Sequence, residues 1–288
     1  MPTEVVALLE PCNGGRFLDC TVGTGGHARV LLEAGADGVL GCDRDGEVLP
    51  LAAATLAPWA ERVELVHADY RELESVLDRR GLASVDGALA DLGVSSVQLA
   101  GEGRGFSFRR DEPLDMRMDR STGATAAEVL RDASEQTLAD GIFEYGEERH
   151  ARRIARAIVA ARRRQPLTST GQLAALVRRA APRRRGQRID PATRTFQALR
   201  IWVNRELEGL AEFLRAVCRR LRAGARLAVI TFHSLEDRIV KRALRELEQG
   251  PDGAVRVLTK RPLRPGREEI RLNPRARSAK LRAAERLA

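Results

Sequence analysis

Short apolar runs alternate with amphipathic stretches through the first ninety residues. Residues 17–22, 39–42, 63–66 and 85–92 read as buried strands. Residues 4–9, 28–34, 47–56 and 71–79 carry apolar positions at helical spacing, as Leu73, Val76 and Leu77 do. Strands alternating with helices at this spacing predict an α/β fold built on a doubly wound, mostly parallel sheet. The alternation breaks at residues 101–119, which are rich in Gly, Arg and Asp and read as a loop. A helical block follows, with helices predicted over 125–131, 136–145, 147–164 and 172–181. In the third of these, Ala151, Ile154, Ala155, Ile158 and Val159 share one face, and Arg152, Arg153, Arg156 and Arg163 point elsewhere. Pro166 stops that helix, Thr168-Ser-Thr170 can cap the next, and Pro182 ends it. The alternation then resumes: a helix over 201–221, a strand over 226–232, a helix over 234–249 and a last strand over 255–259, with a basic tail from 260 to 288. This predicts a sheet domain made of 1–102 and 201–288, interrupted by an inserted helical domain, 103–200.

At 288 residues the chain has ample length for one large domain or two. It contains no apolar run of about 20 residues, so no membrane span is expected. Met1-Pro-Thr-Glu4 lacks a basic stretch followed by an apolar one, so no signal peptide is expected either, and the cytoplasm is the expected compartment. Cys12, Cys20, Cys42 and Cys218 stand apart from one another and read as small buried residues of a reduced protein. His27, His67, His150 and His233 are equally scattered, and no metal is expected.

Charge changes the picture more. The net charge of +9 is concentrated: residues 149–188 hold thirteen arginines and no acid, and residues 260–288 hold ten basic residues against three acids. A basic surface can serve solubility alone. Two dense blocks in a chain of otherwise mixed charge argue for a polyanion, nucleic acid above all. Arg183, Arg184 and Arg185 fall in an exposed basic loop and are candidate phosphate contacts.

The candidate chemistry centres on Phe17-Leu-Asp-Cys-Thr-Val-Gly-Thr-Gly-Gly-His27. A strand runs into three glycines in four positions and then into a helix. Glycines let backbone approach a ligand, and the helix start offers unpaired N–H groups. Gly23, Gly25 and Ala28 also satisfy the dinucleotide pattern, with Asp43 about 20 residues on. Asp19 pulls the other way, because Asp-x-Thr-x-Gly-x-Gly resembles the first motif of S-adenosylmethionine (SAM) methyltransferases. An acid there can face the amino-acid end of SAM and would repel a pyrophosphate. On the loop alone a SAM site, a dinucleotide site and a simple tight turn stay open. Asp19, Asp43, Asp69 and Asp91 each lie at or near the C-terminal end of a strand, where ligands of such sheets bind. Any one of them could instead be a helix cap; four in a row beside a glycine loop favour a site. Asp43 is expected on ribose hydroxyls, Asp69 near an adenine, and Tyr70 stacked on it. Ser234 and Asp237 resemble a capping box, which competes with a role for His233 or Ser234 at the site.

Longer stretches carry a more specific resemblance. They are Ala90-Asp-Leu-Gly-Val-Ser-Ser-Val-Gln-Leu99, Arg104-Gly-Phe-Ser-Phe108, Pro113-Leu-Asp-Met-Arg-Met-Asp119, Pro191-Ala-Thr-Arg-Thr-Phe-Gln-Ala-Leu-Arg-Ile201, Thr231-Phe-His-Ser-Leu-Glu-Asp-Arg238 and Asn273-Pro-Arg-Ala-Arg-Ser-Ala-Lys-Leu-Arg282. In order and span they resemble the bacterial small-subunit ribosomal RNA (cytosine-N4)-methyltransferase family, RsmH or MraW. The resemblance implies a SAM-binding sheet domain with an inserted helical, RNA-binding domain. It also implies methyl transfer to N4 of a cytidine in 16S ribosomal RNA, within an assembled or partly assembled subunit. It carries cofactor contact over to Gly25, Gly26, His27, Asp43, Tyr70, Asp91 and Gln98, and substrate contact to positions in the matching stretches: Phe106, Phe108, Asp115, Arg117, Arg194, His233 and Ser234. The chain departs from the family where Met1-Pro-Thr-Glu4 replaces a His-x-Pro-Val opening, and where Tyr70, Glu112 and Asp190 stand for Phe, Gly and His.

Asp91 is the expected catalytic group: its carboxylate would accept an N4–H bond and take the proton late. Phe106 and Phe108 would stack on an extruded base, or else belong to the core of the insertion. Rival readings are an NAD-dependent oxidoreductase, a non-catalytic RNA-binding ribosome-assembly factor on a SAM-type fold, and the same enzyme class acting on tRNA or DNA.

Overall fold

A computed structural model describes residues 1–181, 189–250 and 253–287. Seven strands form one sheet: β1 (Arg16–Asp19), β2 (Gly38–Asp43), β3 (Val63–His67), β4 (Val85–Asp91), β5 (Leu221–Thr231), β6 (Val255–Val257) and β7 (Lys280–Arg286), in the spatial order β3-β2-β1-β4-β5-β7-β6. The first five run parallel, and β7 is antiparallel to both β5 and β6. The order reverses between β1 and β4. That is the switch point where a doubly wound sheet opens a crevice at its C-terminal edge, and Asp19 and Asp91 end those two strands.

The helices are α1 (Pro2–Leu9), α2 (Gly26–Glu33), α3 (Leu49–Leu56), α4 (Leu73–Asp78), α5 (Ser96–Ala100), α6 (Ala126–Asp132), α7 (Glu135–Gly146), α8 (Ala151–Arg162), α9 (Thr170–Ala180), α10 (Ala192–Asn204), α11 (Leu210–Arg220), α12 (Ser234–Gln249) and α13 (Arg267–Leu272). The chain packs as two units, Met1–Gly93 with Leu207–Ala288, and Val94–Glu206.

In the first unit successive strand residues point to opposite faces. Leu18, Leu40, Ala88 and Val229 pack under Val76 and Leu77 of α4, Phe213 and Leu214 of α11, and Val240 and Leu244 of α12. Phe17, Val39, Leu89 and Ile230 pack under Leu9 of α1, Leu31 of α2 and Leu56 of α3. Both faces of the inner strands are covered, which is why they read as continuous apolar runs; β3, expected to be a buried strand, lies at the sheet edge and none of its residues is fully buried.

The second unit is helical, with Leu130, Leu138, Ile142, Ile154, Ile158, Leu173, Val177 and Leu199 at its centre. Its long loop is clamped from inside. Met116 is buried with a left-handed φ of 64°. Asn204 donates to the Met116 carbonyl at 2.7 Å and accepts from the Met118 N–H at 2.7 Å, and Arg104 donates to the Met118 carbonyl at 2.7 Å.

Several elements differ from the sequence expectation. The helix expected over 147–164 begins only at Ala151, because Glu147 takes a left-handed φ of 49° to close α7. The helix expected over 201–221 is two: α10 ends as Arg205 turns left-handed at φ 50°, and Gly209, at φ 68°, starts α11. The packing units change at residues 93/94 and 206/207 rather than at 102/103 and 200/201, since α10 is continuous and belongs to the helical core. The tail holds a strand, β7, that the apolar pattern hides. It is built of alanines and charged residues, and Arg282, 5% exposed, is buried because Asp237 accepts from it at 2.7 Å. Among the described residues no helix is long and apolar enough to cross a membrane.

Candidate active site

β1 hands over to α2 through the glycine turn. The Gly23 N–H donates to Oδ2 of Asp43 at 2.8 Å, tying the turn to the end of β2. Gly25 caps α2 at φ 84°, and a Cβ on it would stand 3.1 Å from Leu56. A Cβ on Gly26 would meet nothing within 4 Å, so this glycine leaves room that the protein itself does not fill.

Asp19 is 1% exposed. Its Oδ1 accepts from the Thr21 N–H at 3.2 Å, whereas its Oδ2 has no partner. Thr21 Oγ1 in turn accepts from the Asp91 N–H at 2.7 Å, locking the end of β1 to the end of β4. Oδ2 of Asp91 lies 3.4 Å from Nε2 of His27, on the first turn of α2. Oδ1 of Asp91 and Nδ1 of His27 are buried and unpartnered, like Oδ2 of Asp19. Buried polar groups are nearly always satisfied, and leaving one unsatisfied costs about 1–3 kcal/mol. Three around one turn mark a polar binding site.

Electrostatics agree. Burial pushes the Asp19 carboxyl up to about 7; His27 and the Thr21 amide oppose the rise, and Asp91 and Asp43 add to it. Burial alone would lower the His27 imidazole, but its bond to Asp91 and the charges of Asp91 and Asp19 outweigh that and hold it above its usual value.

The other two acids differ. Asp43 is raised by burial, against the amides of Asp45 and Gly23 that it accepts, each at 2.8 Å; an oxygen with two lone pairs still has capacity. Asp69, expected beside an adenine, is instead an ion-paired cap. It accepts from the Arg71 N–H at 2.9 Å and from the Arg71 guanidinium at 2.8 Å, with Arg44 at 3.5 Å. Burial would raise it, but these contacts hold it below the usual carboxylate value. Tyr70, expected to stack on the same base, is 9% exposed and packs in the core with its ring centroid 4.6 Å from that of Phe213. On the C-terminal side of β5, the capping box is one residue earlier than expected. His233 caps α12 and Glu236 reciprocates, while Asp237 faces Lys280 and Arg282; Ser234 is exposed.

In the helical unit, Gln98 is buried and forms a capping box with Ser95 at the start of α5. Phe106 is 8% exposed and belongs to the core of the helical unit, the second of its two expected places. Phe108 is half-buried, edge-on to Phe196 at 4.8 Å, with Arg178 over its ring. Asp115 and Arg117 hold each other in a two-pronged pair at 2.8 and 3.0 Å, and Arg120 lies 3.7 Å from Asp115. Their contacts shape the loop. Arg194 is exposed and donates to the Glu147 carbonyl. Of the arginine block, Arg162 donates to the carbonyls of Leu130 and Ala133, and Arg178 pairs with Asp190. Arg149, Arg152, Arg153, Arg163, Arg164 and Arg179 are exposed. Arg183, Arg184 and Arg185 lie outside the described residues. Sequence reasoning missed Thr21, although the Asp-x-Thr spacing pointed to it, and the loop clamp of Arg104 and Asn204, of which the Asn204 bonds reach across more than eighty residues.

A family model described as the MraW methylase family matches residues 1–287. The chain is 54% identical to ribosomal RNA small subunit methyltransferase H of Cyanothece sp., over 100% of this chain and 94% of that one. It is 52% identical to the protein of the same name from Thermotoga neapolitana, over 99% and 94%. Among solved structures, an rRNA methylase from Streptococcus thermophilus superimposes with a TM-score of 0.44 at 10% identity, over 100% of this chain and 98% of that one, too slight a likeness to carry an argument.

Proposed function

The chain belongs to the MraW methylase family, and from that premise we propose that it transfers a methyl group from SAM to the exocyclic N4 of a cytidine in small-subunit ribosomal RNA. Relatives at 52–54% identity carry the name ribosomal RNA small subunit methyltransferase H. The observation that carries the reading is the set of three buried, unpartnered atoms: Oδ2 of Asp19, Nδ1 of His27 and Oδ1 of Asp91.

Two members of that set fit the amino-acid end of SAM, and the third, Oδ1 of Asp91, is left for the methyl acceptor. Asp19 offers an acceptor for an ammonium, His27 a donor for a carboxylate, and Gly26 leaves space for both. The Asp43 carboxylate keeps acceptor capacity for ribose hydroxyls. When bound, SAM supplies an electrophilic methyl group on a sulfonium. Everything else falls to the protein. The N4 lone pair of cytosine is delocalised into the ring, so the amine must be held and its localised form favoured. Asp91 does this with Oδ1, accepting an N4–H while Oδ2 stays on His27. The carboxylate then takes the proton as the new bond forms, and the neighbouring imidazole disperses its charge.

The helical unit, residues 94–206, is the RNA-substrate domain in this reading. Its exposed arginines neutralise phosphates and set affinity more than sequence choice. The substrate is the small subunit, assembled or partly assembled, and such a substrate places the enzyme in the cytoplasm.

The test is a methyl-transfer assay with labelled SAM, offering small subunits from cells lacking this activity, naked ribosomal RNA, and bulk tRNA, with products digested to nucleosides. Label in N4-methylcytidine from the subunit lane is expected. Label only in the tRNA lane, or in another nucleoside, would overturn the target. SAM binding without label in any lane would favour the non-catalytic assembly factor.

A further inference from the structure

In the first unit the ten basic residues from position 260 onward do not form one population. Lys280 and Arg282, on β7, turn inward: Asp237 accepts from them at 3.1 and 2.7 Å, and Arg282 is 5% exposed. The segment before them, residues 260–278, carries seven basic residues against two acids. Both acids are already paired, Glu268 with Arg271 at 3.2 Å and Glu269 with the amino group of Met1 at 2.6 Å. Lys260, Arg261, Arg264, Arg267 and Arg277 are exposed, and none of them has an ion-pair partner among the described residues.

This segment is held as a strap. Leu263 and Leu281 exchange backbone hydrogen bonds at 2.9 and 3.0 Å. Pro265, Ala276 and Ala279 are buried. Asn273 accepts from the Arg275 N–H, and Lys280 and Arg282 are clamped by Asp237 on α12. Pro265, Ala276 and Ala279 therefore face the protein, and the cations face solvent together with Leu263 and Leu272.

Its place in the sheet is what matters. Leu281 pairs with Ile230 on β5, and Ile230 pairs with Asp91 on β4. The strap thus joins the sheet level with Asp91 and two strands away, about 10 Å at ordinary strand spacing. It leaves β7 at the C-terminal edge of the parallel strands, where the unpartnered polar groups lie.

We propose that this strap is a track for the sugar–phosphate backbone of the substrate RNA. It would deliver the strand to the rim of the site from the sheet unit itself, independently of the arginines of the helical unit. Arg261, Arg264, Arg267 and Arg277 contact phosphates. Six of the seven cations are arginine, whose planar fork suits phosphate oxygens. α13, at six residues, is too short to lie as an amphipathic helix on a bilayer, so RNA is favoured over an anionic membrane. The inference rests on the reading above that RNA is the substrate.

The test replaces Arg261, Arg264, Arg267 and Arg277 together by Gln in the full chain and follows small-subunit RNA binding at several salt concentrations. Each lost phosphate contact lowers the slope of log affinity against log salt by about 0.7–0.9. We expect RNA affinity to fall at least tenfold, the slope to drop by about 3, and the KM for RNA to rise, with SAM affinity and melting temperature as in the parent. Unchanged RNA affinity and slope, in a parent that binds and methylates RNA, overturn the strap alone. A parent that binds no RNA overturns the function proposed above. Loss of binding to phosphatidylserine vesicles with RNA binding intact would assign the strap to a membrane and overturn the inference.

Discussion

Nε2 of His27 lies 3.4 Å from Oδ2 of Asp91, tying the first turn of α2 to the end of β4. The contact orients Asp91 so that one carboxylate oxygen faces the imidazole and the other has no protein partner. Asp91→Asn keeps the shape and removes the base. Turnover is expected to fall by about 10²–10³, within the range for a lost general base, with SAM affinity within a few-fold of the parent. Single-turnover methyl transfer measures it; full turnover in this variant would remove Asp91 from catalysis.

Asp19 sets a pH dependence. The unfolded chain ionises this carboxyl near 3.8, and the folded chain near 7. Between those values the fold holds the extra proton, so stability is greatest below the unfolded value and declines as pH rises towards 7. His27, also raised, acts in the same direction, its contribution being lost as pH rises through its folded value. Asp19→Asn removes the first penalty. Its unfolding free energy should match the parent's near pH 4 and exceed it increasingly up to pH 7, by on the order of 4 kcal/mol at most. If Asp19 receives the cofactor's ammonium, this stabilised variant binds SAM poorly, and parent SAM affinity rises with pH through 7. Calorimetry at three pH values reads both.

Two adjacent glycines should separate fold from site. Gly25→Ala forces a side chain into a left-handed backbone at φ 84° and against Leu56 at 3.1 Å. A loss of about 1–2 kcal/mol in stability is expected. The Cβ of Gly26→Leu has no protein atom within 4 Å, so the variant should leave the melting temperature within a degree or two, yet abolish SAM binding. A large thermal shift for Gly26→Leu would mean that its space is structural.

Asp237 anchors β7 by accepting from Lys280 and Arg282. Asp237→Asn weakens a charged clamp on a buried guanidinium and is expected to cost about 2 kcal/mol. Burial raises the carboxyl, but the bonds from Arg282 and Lys280 outweigh it and hold it below 3.8. Its contribution is therefore present above that pH and is lost as pH falls through the folded value. Denaturant midpoints of parent and variant should converge below about pH 4 and separate above it.

Much of this was legible in the chain. The inner parallel strands β1, β2 and β4 are covered on both faces, so each reads as an apolar run whatever its neighbours are. The bounds of α12, Ser234–Gln249, follow from local capping and period. The glycine turn is legible because only glycine takes its backbone angles cheaply. These are local properties, and they determined the sheet class, the site's edge of the sheet and its central loop. Tertiary structure decided which acids matter there. Asp19 and Asp69 are the same residue type at equivalent ends of strands. One is left with an open oxygen because its only bond is from the Thr21 N–H to the other oxygen, and the second is closed by Arg71. Likewise Tyr70 and Phe106 look like stacking platforms until Phe213 and the helical core cover them, and β7 becomes a strand only because β5 and Asp237 accept it. Backbone conformation answers to near neighbours in sequence. Whether a carboxylate, a ring or a cation remains free for a ligand depends on side chains brought from distant parts of the chain.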